Sequence, residues 1–107
     1  MSAANARDAA ETWIAEKAIP EELRGRKVQL AIFTSEENCR FFYPRRALKW
    51  QQQVNTYISR LCRGRHAKIE RVELTPATYD AWRSEHGRDD GEAVRREYAD
   101  SFQRLLE

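Results

Sequence analysis

Apolar residues recur along this chain in two different periods, and the alternation between them divides it into elements. Between residues 3 and 18, Ala6, Ala9, Ala10, Trp13, Ile14 and Ala18 fall three and four apart, which is one apolar stripe of a helix. Pro20 ends that run or opens a short turn through Leu23, and Gly25 punctuates the chain. The period then shortens to two. From Lys27 to Thr34, Val28, Leu30 and Ile32 point one way and Lys27, Gln29, Ala31 and Phe33 the other, as in a strand. Ser35-Glu36-Glu37-Asn38 reads as a four-residue turn, and Cys39 to Tyr43 as the second strand of a hairpin. Both strands carry apolar residues on both faces, so the pattern predicts cover on each side.

Pro44 ends the second strand, and residues 45–63 return to a helical period. Ala47, Trp50, Val54, Tyr57, Ile58 and Leu61 form the stripe predicted to be buried. Arg46, Lys49, Gln53, Thr56, Arg60 and Arg63 form the opposite face, and Gly64 is placed to cap the helix. Lys68 to Leu74 reads as a third strand. Its parity slips between Ile69 and Val72, which predicts a bulge near Glu70 and Arg71. Thr75-Pro76 is a helix-start signal for a segment reaching about Glu85, with Tyr79 and Trp82 inward. Gly87 breaks it. Asp89 or Asp90 then caps a last helix near 91–106, with Val94, Tyr98, Phe102 and Leu105 inward. The expected order is α-β-β-α-β-α-α. This is an α+β fold whose small three-stranded sheet, a hairpin plus one strand, packs against helices. The third strand would run parallel to the second if the two are neighbours.

Composition narrows the class. A chain of 107 residues is expected to be a single domain, and 41% apolar with 10% aromatic residues is enough to build a core. No apolar run approaches the about 18 residues that span a bilayer, so no membrane role is expected. Met1 to Asp8 lacks the basic and then apolar order of a secretory leader. The reading is therefore a cytoplasmic protein, with Cys39 and Cys62 as reduced thiols rather than a disulfide.

Charge changes the picture more than composition does. The net charge is only +2, but it is unevenly spread. Residues 1–23 hold two basic and five acidic side chains, residues 24–72 twelve and three, and residues 73–107 five and nine. A centre of net +9 is thus flanked by ends of −3 and −4.

That centre holds the candidate chemistry. Arg40, Arg45, Arg46, Lys49, Arg60, Arg63, Arg65 and Lys68 are interleaved with Phe41, Phe42, Tyr43, Trp50 and Tyr57. Arginine offers a planar, multi-donor head to phosphates, amides such as Gln51, Gln52, Gln53 and Asn55 can read base edges, and aromatics can stack on unpaired bases. The surface expected to bind is Arg45, Arg46, Lys49, Gln53, Arg60, Arg63 and Arg65, with nucleic acid as the leading partner. Three other readings compete. The same face suits an acidic protein partner. Sheet edges suit a homodimer. The cations are otherwise a solvated surface, or one neutralised by the acidic ends through Glu92, Glu97 and Asp100. Trp50 and Tyr57 already lie on the stripe assigned to the core.

Enzyme chemistry finds little support. Cys39 lies beside Arg40, but no motif ties either histidine to it. Cys62-x3-His66 has ligand-like spacing, yet Cys39 and His86 are single residues rather than paired ligands, so neither a metal nor any other cofactor is expected. Glu36-Glu37 and Asp89-Asp90 are accounted for by a turn and a helix start, and the four glycines are isolated. The expectation is a non-enzymatic binding protein.

Overall fold

A computed structural model describes residues 3–106, with side chains from Asn5 onward. Met1 and Ser2, which open the stretch read above for a leader, lie outside the described residues, as does Glu107. The elements are α1 (Ala3–Glu16), β1 (Lys27–Ile32), α2 (Glu36–Phe42), α3 (Leu48–Arg63), β2 (Lys68–Glu73), α4 (Pro76–Glu85), α5 (Glu92–Asp100) and β3 (Arg104–Leu106). The class is α+β as expected, but the order is α-β-α-α-β-α-α-β. The sheet order is β2-β1-β3, with β1 parallel to β2 and antiparallel to β3. No described helix is long and apolar enough to cross a membrane.

The expected hairpin is replaced by a helix. Ser35 is an N-cap whose hydroxyl accepts the Asn38 N–H at 3.0 Å, and Glu36 and Glu37 fill the first turn. Glu36 also pairs with Arg40 one turn on. Cys39, Phe42 and Tyr43 are all buried, a three-and-four spacing that belongs to a helix face and not to a strand. The third strand is instead the C-terminal segment Arg104–Leu106, expected to be helical. It sits beside β1, with Leu105 opposite Val28. The last helix stops at Asp100, and its N-cap is the Gly91 backbone rather than Asp89 or Asp90.

The sheet is buried from both sides by different helices. On one face Val28, Leu30 and Ile69 pack with Ala6, Ala10 and Ile14 of α1 and Val54, Ile58 and Cys62 of α3. Alanines at positions 6 and 10 let α1 lie close to α3. On the other face Ala31 and Val72 meet an aromatic cluster of Phe33, Phe42, Tyr43, Tyr79 and Tyr98. Phe42 stacks on Tyr98 at 5.8 Å, and Tyr79 meets Tyr98 edge-on at 5.5 Å. These two cores explain the parity slip in β2. The strand has no bulge, since its register with β1 is continuous from Lys27↔Lys68 to Ile32↔Glu73. Ile69 serves one core and Val72 the other. The open end of the second face is polar. There Gln29, buried between its neighbours, donates to Glu70 at 3.0 Å and accepts from Arg104 at 3.3 Å.

The ends of α1 and α3 turn on residues in the left-handed region. Ala18 (φ 52) lets the Ile19 N–H reach Ile14 O, so Ala18 is the turn residue and not the end of the apolar stripe. His66 (φ 65) lets the Ala67 N–H reach Cys62 O. Gly64 is the C-cap of α3 as expected, its N–H reaching Arg60 O, but it is right-handed at φ −61 and the left-handed turn falls on His66. Thr75 and Pro76 start α4 as expected, in a capping box with Thr78.

Candidate functional site

Helix α3 carries the candidate site because its two faces differ in kind. Val54, Ile58 and Cys62 pack inward, while Lys49, Gln52, Thr56, Arg60 and Arg63 recur three and four apart on the exposed side. Lys49, Gln52, Gln53, Thr56, Tyr57 and Arg60 surround a shallow depression of about 290 Å³. Gln52 and Thr56 also wall a second hollow of about 260 Å³, closed on its far side by Arg71 of β2. Arg71 is directed there because its register partner is Leu30, on the α3 side of the sheet. The two hollows make one concave strip from the outer face of α3 to the β2 edge.

Among the described residues the cations of this strip have no carboxylate partner. The ion pairs among the described residues join Arg7 to Glu11, Arg24 to Glu22, Arg40 to Glu36, Arg83 to Asp80, Arg88 to Glu97 and Arg95 to Asp90. None involves Lys49, Arg60, Arg63 or Arg71. Two of the three acidic side chains expected to neutralise them are engaged elsewhere: Glu97 holds Arg88, and Asp100 accepts the Tyr43 hydroxyl at 2.5 Å.

The seven residues singled out in the sequence separate into groups. Lys49, Gln53 and Arg60 share the depression, and Arg63 follows one turn along. Arg45 is exposed but precedes the helix, which begins at Leu48 and not at 45. Arg46 turns inward, where it donates to Gln51 Oε1 at 3.0 Å and lies 4.0 Å over the Tyr43 ring. Arg65 donates to Ile19 O at 3.0 Å and so ties the end of α3 to the chain leaving α1.

Burial also divides the amides and the aromatics. Gln51 is only 2% exposed and passes a hydrogen bond to Asn55, which donates to Ala31 O at 3.0 Å. That chain anchors α3 to β1 and removes both amides from base reading, leaving Gln52 and Gln53. Phe42 and Tyr43 are core residues, and Phe41 is packed on Phe42 and Tyr79 under Arg95. Trp50 packs against the α1–α3 core. Of the five interleaved aromatics only Tyr57 borders the depression, with Arg60 5.8 Å from its ring. Arg71 belongs to the basic segment, but nothing in one dimension shows that it faces α3.

The other chemical candidates are dispersed. Cys39 and Cys62 are buried free thiols in different cores. Burial, then the nearby Glu36 carboxylate, pushes the Cys39 thiol up to about 11, against its use as a nucleophile. His66 and His86 are exposed, and the His86 ring stacks on Trp82 at 5.0 Å. Among the described residues no three His, Cys, Asp or Glu side chains gather into a group that would hold a metal ion. Compared with known proteins, the chain matches no family model and no curated sequence, so the reading of the site rests on its own geometry.

Proposed function

We propose that this protein is a non-enzymatic nucleic-acid-binding domain whose contact surface is the outer face of α3 together with Arg71 on the β2 edge. One observation carries the reading: Lys49, Arg60, Arg63 and Arg71 have no carboxylate partner among the described residues, although acidic side chains pair with arginines elsewhere in the fold. Scale supports it. Lys49 and Arg63 are separated by ~21 Å of helix at 1.5 Å per residue. That length matches about six phosphates of one strand at ~3.4 Å each. Gln52, Gln53 and Thr56 supply donors and acceptors between the cations, within reach of sugar and base edges.

The test is a salt series against single- and double-stranded DNA and RNA. Neutralising about four phosphates gives a slope of log affinity on log salt near −3 to −4. Reversing Lys49, Arg60 and Arg63 together to Glu removes binding and leaves the fold intact, because none of the three contributes to either core. Absence of binding at low salt overturns the proposal. An acidic protein partner is distinguished by a poly-glutamate competitor: if it displaces nucleic acid as well as nucleic acid itself does, the face reads negative charge alone.

A further inference from the structure

The hollow between α3 and the sheet is built differently from the shallow depression beside it. It lies at the carboxyl end of β1, where Ile32, Phe33 and Leu48 give it apolar walls. Its volume of about 260 Å³ falls below the ~300–1,000 Å³ of drug-sized ligand sites and suits one flat heterocycle. Among the described residues that line it, Arg71 is the only charged one, and none is a carboxylate.

The polar groups of the hollow divide into fixed and available ones. Gln51 donates to Asn55 Oδ1 at 3.1 Å, Asn55 donates to Ala31 O, and Ser59 donates to Asn55 O at 2.8 Å, so the inner wall is held by bonds within the fold. The outer wall is not. Gln52 is exposed, and its side-chain amide makes no hydrogen bond among the described residues. Thr56 gives its hydroxyl proton to Gln52 O at 2.9 Å, which leaves the hydroxyl oxygen as an acceptor. The free amide and this oxygen offer donors and acceptors side by side, the mixture that the edge of a nucleobase presents in return.

Gln52 and Thr56 also border the depression that holds Lys49 and Arg60, so phosphates laid along α3 pass the mouth of the hollow. In a duplex the bases are paired and stacked inside the phosphates, and none enters a hollow beside them unless it leaves its pair. A single strand has no pairing to break. We infer that the strip binds a single strand and that the hollow receives one of its bases. The ring lies against Ile32 and Leu48, the edge meets Gln52 and Thr56, and the adjoining phosphate sits on Arg71. This rests on the nucleic-acid reading above and narrows it to unpaired strands.

Fluorescence anisotropy with the full chain at low salt compares short DNA ligands of equal length: a single strand, its duplex, a strand of abasic sites alone, and that abasic strand with one adenine restored. The single strand binds about tenfold more tightly than the duplex, and the restored strand about tenfold more tightly than the abasic one. Thr56→Phe fills the mouth of the hollow from an exposed helical position and removes the gain from the adenine, so that the two strands bind alike. Arg71→Gln lowers the salt slope by about 0.7. Equal affinity for strand and duplex, no gain from the adenine, a gain that survives Thr56→Phe, or an unchanged slope overturns the inference. In those cases continued binding of the abasic strand shows that the phosphate surface stands without it. Loss of every ligand at low salt overturns both readings. Should Thr56→Phe fail to fold, the adenine and duplex comparisons on the unsubstituted chain still decide the matter.

Discussion

Glu36 caps a helix to which it does not belong: its Oε2 accepts the Leu48 N–H at 2.5 Å, while its Oε1 lies 3.5 Å from Arg40. The N-cap of α3 is Ala47, which has no side-chain oxygen, so the first turn of α2 satisfies an orphan donor at the start of α3. The carboxylate also meets the positive end of the α3 dipole. This bond sets the α2–α3 corner from which Arg45 and Arg46 diverge. Glu36→Ala should lower stability by about 1 kcal/mol. Glu37→Ala, at an exposed neighbour without such a bond, should change it by less than about 0.5 kcal/mol. Urea denaturation of the two variants checks the difference.

The cations of the basic segment should separate by stability as well as by binding. Arg65 is half-buried and its guanidinium satisfies Ile19 O across 46 residues, so Arg65→Ala should cost about 1–2 kcal/mol. Arg63→Ala removes an exposed side chain with no such bond and should stay within about 0.5 kcal/mol. Equal midpoints in denaturant would show that Arg65 does not tie α3 to the chain after α1.

Two positions of left-handed backbone are occupied by residues with a Cβ. Ala18 and His66 lie at φ 52 and φ 65, where a Cβ crowds the following carbonyl. Ala18→Gly should raise stability by about 0.5 kcal/mol, the relief of strain being partly offset by a more flexible unfolded chain. His66→Gly should act in the same direction. Thermal unfolding of the single and double variants measures both effects.

Stability should fall in alkali, and the sign follows from burial. Burial, with the Asp100 carboxylate beside it, pushes the Tyr43 phenol far above its ordinary 10.0. Burial and the bond to Asp90 raise Tyr79, and burial raises the thiols of Cys39 and Cys62 above 9.0. Each group ionises in the unfolded chain before it does so in the folded one. The folded state therefore holds more protons above the ordinary values, and its stability is complete below them and lost as pH rises. The unfolding free energy should begin to fall near pH 9 and fall faster beyond pH 10, by at most about 1.4 kcal/mol per pH unit for each group, and denaturant titrations across that range measure it. Tyr43→Phe should flatten the upper part of that curve. At neutral pH it should cost about 1–2 kcal/mol, because buried Gln103 loses its acceptor.

Elements with a strong local signal are legible in the sequence alone. The 3.6-residue stripe of α1, the alternation of β1 and the Thr75-Pro76 start of α4 all appear where the pattern places them. The expected strand at 39–43 fails on its period. Five residues fit a strand or a helix by apolarity alone, and the Ser35 cap with acidic residues behind it is the signal that separates the two. The fate of Arg104–Leu106 is not locally encoded. Leu105 continues the α5 stripe, and only a vacant edge of β1 opposite Val28 makes it a strand.

For the candidate site, the sequence by itself determined which residues carry charge and that Lys49, Gln53, Arg60 and Arg63 share one helix face, because a helical period places side chains without reference to the rest of the fold. Tertiary structure decided which cations remain available. Arg46 and Arg65 lie in the same basic run, yet packing turns them onto Gln51 and Ile19 O, while Arg71 arrives at the strip from a strand 11 residues beyond Arg60. Such pairings depend on where the backbone brings distant acceptors, and charge along the chain carries no record of that distance.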